Sequence, residues 1–120
     1  MTNFERPCDI CDTIYVIDDS GNLVNLTNIP KLEVWYYMET DLTHIIKFSL
    51  IAKEGYNLLT KVDDYHYSAY LTDALLDTLS DGSIFCVTYI AVENADLGSG
   101  EFNNVGTVEL GINLITSIIP

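Results

Sequence analysis

The chain has 120 residues with Lys+Arg 5 against Asp+Glu 18, a net charge of −13, and is 48% hydrophobic. A chain of this length builds one core and not two, and its apolar share is sufficient to fill that core, which excludes a two-domain organisation and whole-chain disorder. No run reaches the roughly 18 apolar residues of a membrane span, and the opening Met-Thr-Asn-Phe-Glu-Arg-Pro lacks the basic flank and apolar stretch of a secretory signal, so a soluble, unprocessed domain is expected.

Residues 1–13 have poor strand character and read as an irregular N-terminal arm. Ile14 to Ile17 is a short β-rich run, closed by the turn cluster Asp18-Asp19-Ser20-Gly21-Asn22. Leu32, Val34, Tyr36 and Met38 then alternate with Glu33, Trp35, Tyr37 and Glu39, the period of two of a strand. Trp35 is expected as a core aromatic of a middle strand. Ile46, Phe48, Leu50 and Ala52 alternate in the same way with Lys47, Ser49 and Lys53; Glu54-Gly55-Tyr56-Asn57 ends that strand, and Leu58 to Val62 is expected to pair back. Tyr65 to Leu71 reads as a further strand. Asp73 to Leu79 suits one helical turn with Asp73 as N-cap and Gly82 after its end. Ile84 to Val92 is apolar almost throughout and reads as a central strand; 93–104 is a loop rich in turn formers, and Val105 to Ile115 closes the fold.

Short strands separated by turns predict an all-β fold, a single antiparallel immunoglobulin-like β-sandwich of about seven strands. The domain is expected at 14–115, with the arm at 1–13 and an apolar tail at 116–120. The cysteine–tryptophan–cysteine spacing of antibody domains is missing, so the immunoglobulin likeness concerns architecture.

Charge is unevenly distributed. Residues 31–61 hold all four lysines and four acids, whereas 62–120 hold nine acids and no base. Phosphate backbones and anionic membranes require clustered Lys and Arg, so direct contact with nucleic acid or membrane is not expected. The acidity serves solubility; as an alternative, it would let the chain mimic DNA and inhibit a host nucleic-acid enzyme.

Catalytic equipment is sparse. Cys8 and Cys11 form a Cys-x-x-Cys, but acids flank it and it precedes a strand, whereas thioredoxin-like chemistry needs a helix N-terminus. Zinc needs four ligands, and no second pair is present to join His44 or His66. Cys86, in the most apolar strand, reads as a small hydrophobe, and reduced thiols are the expectation. Asp18 to Asn22 lacks the ligand spacing of a calcium loop, and Gly98-Ser99-Gly100 lacks the Lys-Ser/Thr of a phosphate loop. Adjacent aspartates at 18–19 and 63–64 point to opposite faces of a strand and cannot straddle a glycosidic bond. The reading is no enzyme and no cofactor.

Tyrosines are the distinctive feature, with Tyr36, Tyr37, Tyr56, Tyr65, Tyr67, Tyr70 and Tyr89 running through the middle strands. They pair across sheets and dominate protein interfaces. Trp35 and Tyr37 share one face and Tyr36 takes the other, so one side is core and the opposite side is a candidate interface.

The segment Tyr67-Ser68-Ala69-Tyr70-Leu71-Thr72-Asp73-Ala74-Leu75-Leu76-Asp77-Thr78-Leu79-Ser80-Asp81-Gly82, the apolar strand Ile84 to Ile90, the acidic loop 93–104 and Val105-Gly106-Thr107-Val108-Glu109-Leu110-Gly111-Ile112 follow one another in a characteristic order. Together with Leu32 to Tyr56, this order resembles small β-sandwich proteins of tailed phages of gut Bacteroidales, including the crAss-like phages. The resemblance covers about residues 30–115 and rests on spacing and residue class. It implies a virion structural protein, made in the host cytoplasm, that decorates the capsid as an auxiliary protein or forms part of a head fibre. Such a module acts by protein–protein contact, with the major capsid protein or other virion proteins as partners. Self-association into a homo-oligomer is also expected. Its interface is expected to use Trp35 and Tyr37, Lys47 and Lys53 on the outward face of their strand against acids of a neighbour, and Ile118 and Ile119 of the apolar tail.

Overall fold

The alternation of apolar and polar side chains becomes sheet geometry directly. A computed structural model describes residues 2–5, 7–17, 20–27, 29, 31–91 and 103–115. Its strands are β1 (Thr2–Glu5), β2 (Ile10–Ile14), β3 (Lys31–Met38), β4 (Asp41–Ser49), β5 (Asn57–Leu58), β6 (Thr60–Lys61), β7 (Tyr67–Leu71), β8 (Gly82–Ala91) and β9 (Asn103–Ile115), with one helical turn, α1 (Asp73–Leu76), between β7 and β8. A six-stranded sheet in the order β1-β9-β8-β3-β4-β5 and a three-stranded sheet in the order β2-β7-β6 make an all-β sandwich. Most pairings are antiparallel; β1 with β9 and β4 with β5 are short parallel ones. Among the described residues, no helix is long and apolar enough to cross a membrane.

β3 lies at the centre of the large sheet, antiparallel to β4 on one side and β8 on the other. Leu32, Val34, Tyr36 and Met38 all turn inward and are at most 1% exposed. They meet Ile46 and Phe48 of β4, Ile84, Cys86 and Ile90 of β8, and Ala69 and Leu71 of β7 in one core. Each fully buried side chain of this kind is worth about 1.5–3 kcal/mol relative to exposure. Tyr36 packs edge-on against Phe48, with ring centres 5.8 Å apart, and its hydroxyl donates to Asp12 Oδ2 at 2.6 Å. The core aromatic is therefore Tyr36 and not Trp35, which faces away from the core.

The N-terminal residues are not an irregular arm. Thr2 to Glu5 runs parallel to β9 from Ile112 to Ile115, and Ile10 to Ile14 pairs with β7 from Leu71 back to Tyr67. Ile10, Asp12 and Ile14 form the inward row of β2. An aspartate within that row hides the alternation in the sequence, and the Tyr36 hydroxyl satisfies it in the fold. Beyond β2, Ile17 still bridges Leu23 across the turn.

Three further elements differ from expectation. β4 stops at Ser49, so Lys53 lies in the following turn, whose Gly55 has φ 81°. Residues 58–62 do not pair back as a hairpin. β5 stays beside β4, buried Leu59 carries the chain across, and β6 joins the other sheet. The helical turn is capped by Thr72, whose hydroxyl accepts from Leu75 N, and not by Asp73. Its C-cap is Asp77, and Gly82, which lies after the end of the turn as expected, opens β8 at φ 136°. The loop 93–102 and the tail 116–120 lie outside the described residues, while Asn103 and Asn104 already belong to β9.

Asp9, just before β2, accepts a hydrogen bond from Asp73 N at 2.6 Å and so ties the N-terminal segment to the start of α1. Asp9→Ala is expected to cost about 1 kcal/mol, the usual worth of a capping carboxylate. Urea unfolding should show a lower midpoint with an unchanged slope.

Candidate functional site

Because Val34, Tyr36 and Met38 are taken by the core, β3 turns Glu33, Trp35 and Tyr37 to the outside of the six-stranded sheet. Antiparallel register places Tyr89, Val87 and Phe85 of β8 opposite these three residues in turn, and Lys47 of β4 opposite Trp35 from the other side. An aromatic row results. The Trp35 and Tyr89 rings meet edge to face at 5.0 Å, and Tyr37 stacks on Phe85 at 6.0 Å. Trp35, Tyr37, Phe85 and Tyr89 are each half-buried, so every ring keeps an open edge or face while Val87 is covered. Pairs in such geometries contribute about 0.5–1.5 kcal/mol beyond their buried area and hold the rings in place.

Cations border the row. Lys47 Nζ sits 4.3 Å from the centre of the Trp35 ring and 5.5 Å from that of Tyr56, while Lys53 Nζ sits 4.5 Å from Tyr56. Cation–π contacts at exposed sites are worth about 0.5–1 kcal/mol and fix the ammonium direction more than they add stability. Glu33 is only 3% exposed although it faces outward. Its Oε1 accepts from Trp35 Nε1 at 3.0 Å and its Oε2 from Lys53 Nζ at 2.9 Å. The hydrogen bond to Glu33 is the main cause that holds the Lys53 pKa above its usual value. Burial, and then a hydrogen bond to Glu33, pushes the Tyr56 phenol up. Both groups therefore stay protonated near neutral pH, and Glu33 anchors the whole group from below.

Trp35 and Tyr37 share one face, as their spacing predicted; the fold makes it the outer face, and Lys47 joins them there. Lys53 does not project from a strand toward a neighbour: it folds back from the turn onto Glu33 of its own chain, because a nearly buried carboxylate needs a donor. Ile118 and Ile119 lie outside the described residues. Sequence reasoning singled out neither Glu33 nor Phe85, and named Tyr56 and Tyr89 only as members of the tyrosine set. The alternation of Phe85, Val87 and Tyr89 against Ile84, Cys86 and Ile90 carries the signal for two of them, but it is masked because both rows of β8 are apolar. Glu33 carries no comparable signal.

Thr43, His44 and Asp41 cluster at the open start of β4, but Thr43 Oγ1 and Asp41 Oδ2 both meet the same His44 nitrogen, Nδ1, at 3.0 and 2.8 Å. A relay needs one partner on each imidazole nitrogen. Burial pushes the Cys86 thiol up to about 12, with nearby Asp12 adding to the shift, which leaves it protonated and inert. Among the described residues, no group of three or more His, Cys, Asp or Glu side chains is placed to hold a metal ion. Comparisons with family models, with curated proteins and with solved structures return no match to this chain.

Proposed function

We propose that this chain is a structural protein of a tailed-phage virion, an auxiliary capsid (decoration) or head-fibre component, which acts by protein–protein contact through the outer face of its six-stranded sheet. The observation that carries this reading is the aromatic row Trp35, Tyr37, Phe85 and Tyr89 with Lys47 and Lys53 beside it. Tryptophan and tyrosine give large contact area at low entropic cost and supply most interface hot spots. Pre-packed rings reduce the ordering cost further.

An immunoglobulin-like reading of the sandwich is supported by the partition of its strands. In a variable-type domain the first, second, fourth and fifth lettered strands form one sheet and the others the second, a partition that every strand but β1 follows. Here β2, β6 and β7 form one sheet, and β3, β4, β5, β8 and β9 form the other with β1 at its edge. The alternative of DNA mimicry draws less support: Glu33 is buried, and Asp41, Asp63 and Asp64 are tied to His44, His66 and Lys61, which is unlike a row of phosphates.

Mass spectrometry of purified particles tests the proposal. The chain is expected in virions, and Trp35→Ala is expected to weaken capture by the partner about 30-fold, equivalent to about 2 kcal/mol for a central hot spot. A chain found only in infected-cell lysate, or a Trp35→Ala variant packaged as efficiently as the native chain, sinks it.

A further inference from the structure

Residues 2–5 and 7–17 run as one strap over the sandwich. β1 ends the six-stranded sheet and β2 ends the three-stranded one, so both can leave without parting two other strands. Asp9 holds the strap to the start of α1, Val16 O accepts from Val24 N at 2.9 Å, and Ile17 bridges Leu23. Ile10, Ile14 and Val16 belong to the core, and Asp12 meets the Tyr36 hydroxyl. A slot vacated by these side chains has to be refilled, because an open cavity in the core is costly.

Only five residues join Ile17 to Leu23, and Gly21 among them holds φ 85°. Around this junction gather Tyr15, Ile17, Leu23, Val62 and Tyr65, five of the nine large apolar side chains that are exposed among the described residues. The Tyr15 ring lies 6.0 Å from that of His66, and Val62 N donates to His66 O at 3.0 Å, which keeps the group at one end of the molecule. We propose that two copies exchange their straps: residues 2–17 of each fill the slot of the other, and the segment between Ile17 and Leu23 opens as the hinge.

The closed molecule itself shows that a second copy fits the slot. Exchange needs no group to be free, since every partner is one the fold already pairs. Asp9 meets the Asp73 amide, Asp12 the Tyr36 hydroxyl, β1 the end of β9 and β2 the flank of β7, each now across two chains. Only the hinge, and the surfaces it draws together, are new. Six steps of about 3.3 Å keep Ile17 within about 20 Å of Leu23 in its own chain, so the two hinge ends lie side by side. Each then covers the apolar group of the other, while Asp63 and Asp64 nearby are bound to His66 and Lys61. The strap lies apart from the aromatic row, so this inference does not rest on the outer-face reading.

Disulfide trapping between full-length chains provides the test. Cys11 faces Tyr70 across β2 and β7, and both are exposed. One chain keeps Cys11, and the other carries Cys11→Ser with Tyr70→Cys. The mixture is unfolded in urea, refolded at high concentration and treated with oxidised glutathione, which takes up two electrons and two protons as the bond forms. A bond from Cys11 of the first chain to position 70 of the second is expected by peptide mass spectrometry. The same mixture oxidised without unfolding measures random collision and should give little of it. Tyr70→Cys alone, in a chain that keeps Cys11, checks that the pair can close. Independently, Gly21→Val disfavours φ 85° and favours an extended hinge, and should raise the dimeric share in sedimentation at least about tenfold. No bond between chains although the single-chain control closes, or a Gly21→Val chain as monomeric as the native one, overturns the proposal. A Trp35→Ala chain should exchange normally, so failure of the outer-face reading registers separately.

Discussion

Tyr36→Ala is expected to lower the free energy of unfolding by about 3–5 kcal/mol, a large fraction of the roughly 5–15 kcal/mol that holds a domain together. The side chain is fully buried, packs edge-on against Phe48 and lies at the centre of the strand with neighbours on both sides. Its removal leaves a cavity that strands paired on both edges cannot close. Tyr36→Phe separates the hydroxyl from the ring. Without that hydroxyl, Asp12 loses its donor across the two sheets, at a cost of about 1–3 kcal/mol. Urea unfolding with an unchanged slope would report both values. A Tyr36→Phe chain as stable as the native one would show that the contact between the sheets contributes nothing.

The second large effect concerns the other end of that hydrogen bond. Burial raises the Asp12 pKa above 3.8, and the Tyr36 hydroxyl offsets this only in part. Because the folded chain favours the protonated acid, this contribution to stability is fully present below about pH 3.8 and is lost as pH rises through the raised folded value. Asp12→Asn keeps an acceptor for Tyr36 and removes the charge. It should therefore raise the unfolding midpoint at pH 7, and the gain should vanish near pH 3. Asp12→Ala instead removes the carboxylate acceptor of the buried Tyr36 hydroxyl, leaving Cys86 as its side-chain partner, and should cost about 1–3 kcal/mol at pH 7. Asp41, Asp63 and Asp64 shift in the opposite direction through bonds to Thr43 and His44, to His66, and to Lys61. Their contributions are present above pH 3.8 and fall away in acid. Comparing Asp12→Asn with the native chain at each pH cancels these terms. A midpoint difference that grows toward acid would contradict the assignment.

Together the two sites divide the molecule by role. Inside, the Asp12–Tyr36 hydrogen bond links the sheets beside the inert Cys86 thiol. Outside, Glu33 performs a similar service, because its carboxylate orients Trp35 and Lys53 on the outer face of the large sheet. Both are acids in strands whose neighbours are apolar, and in both cases the fold supplies a donor from a distant strand or turn.

The amino-acid sequence by itself determined the all-β class, the middle strands β3 and β8, and the separation of Trp35 and Tyr37 from Tyr36. Side-chain parity along a strand is local and follows from the pleat alone. Tertiary structure decided which parity faces inward, because that depends on where the second sheet lies. Asp12 of β2 sits opposite Tyr36, so Tyr36 is the core aromatic and Trp35 the surface one. Tertiary structure likewise made strands of Thr2–Glu5 and Ile10–Ile14, whose pairing partners lie at the far end of the chain and in β7. It also turned Lys53 back onto Glu33, a partner 20 residues away. Strand pairing and burial of a charge are settled by partners brought from a distance, and no local pattern encodes their position.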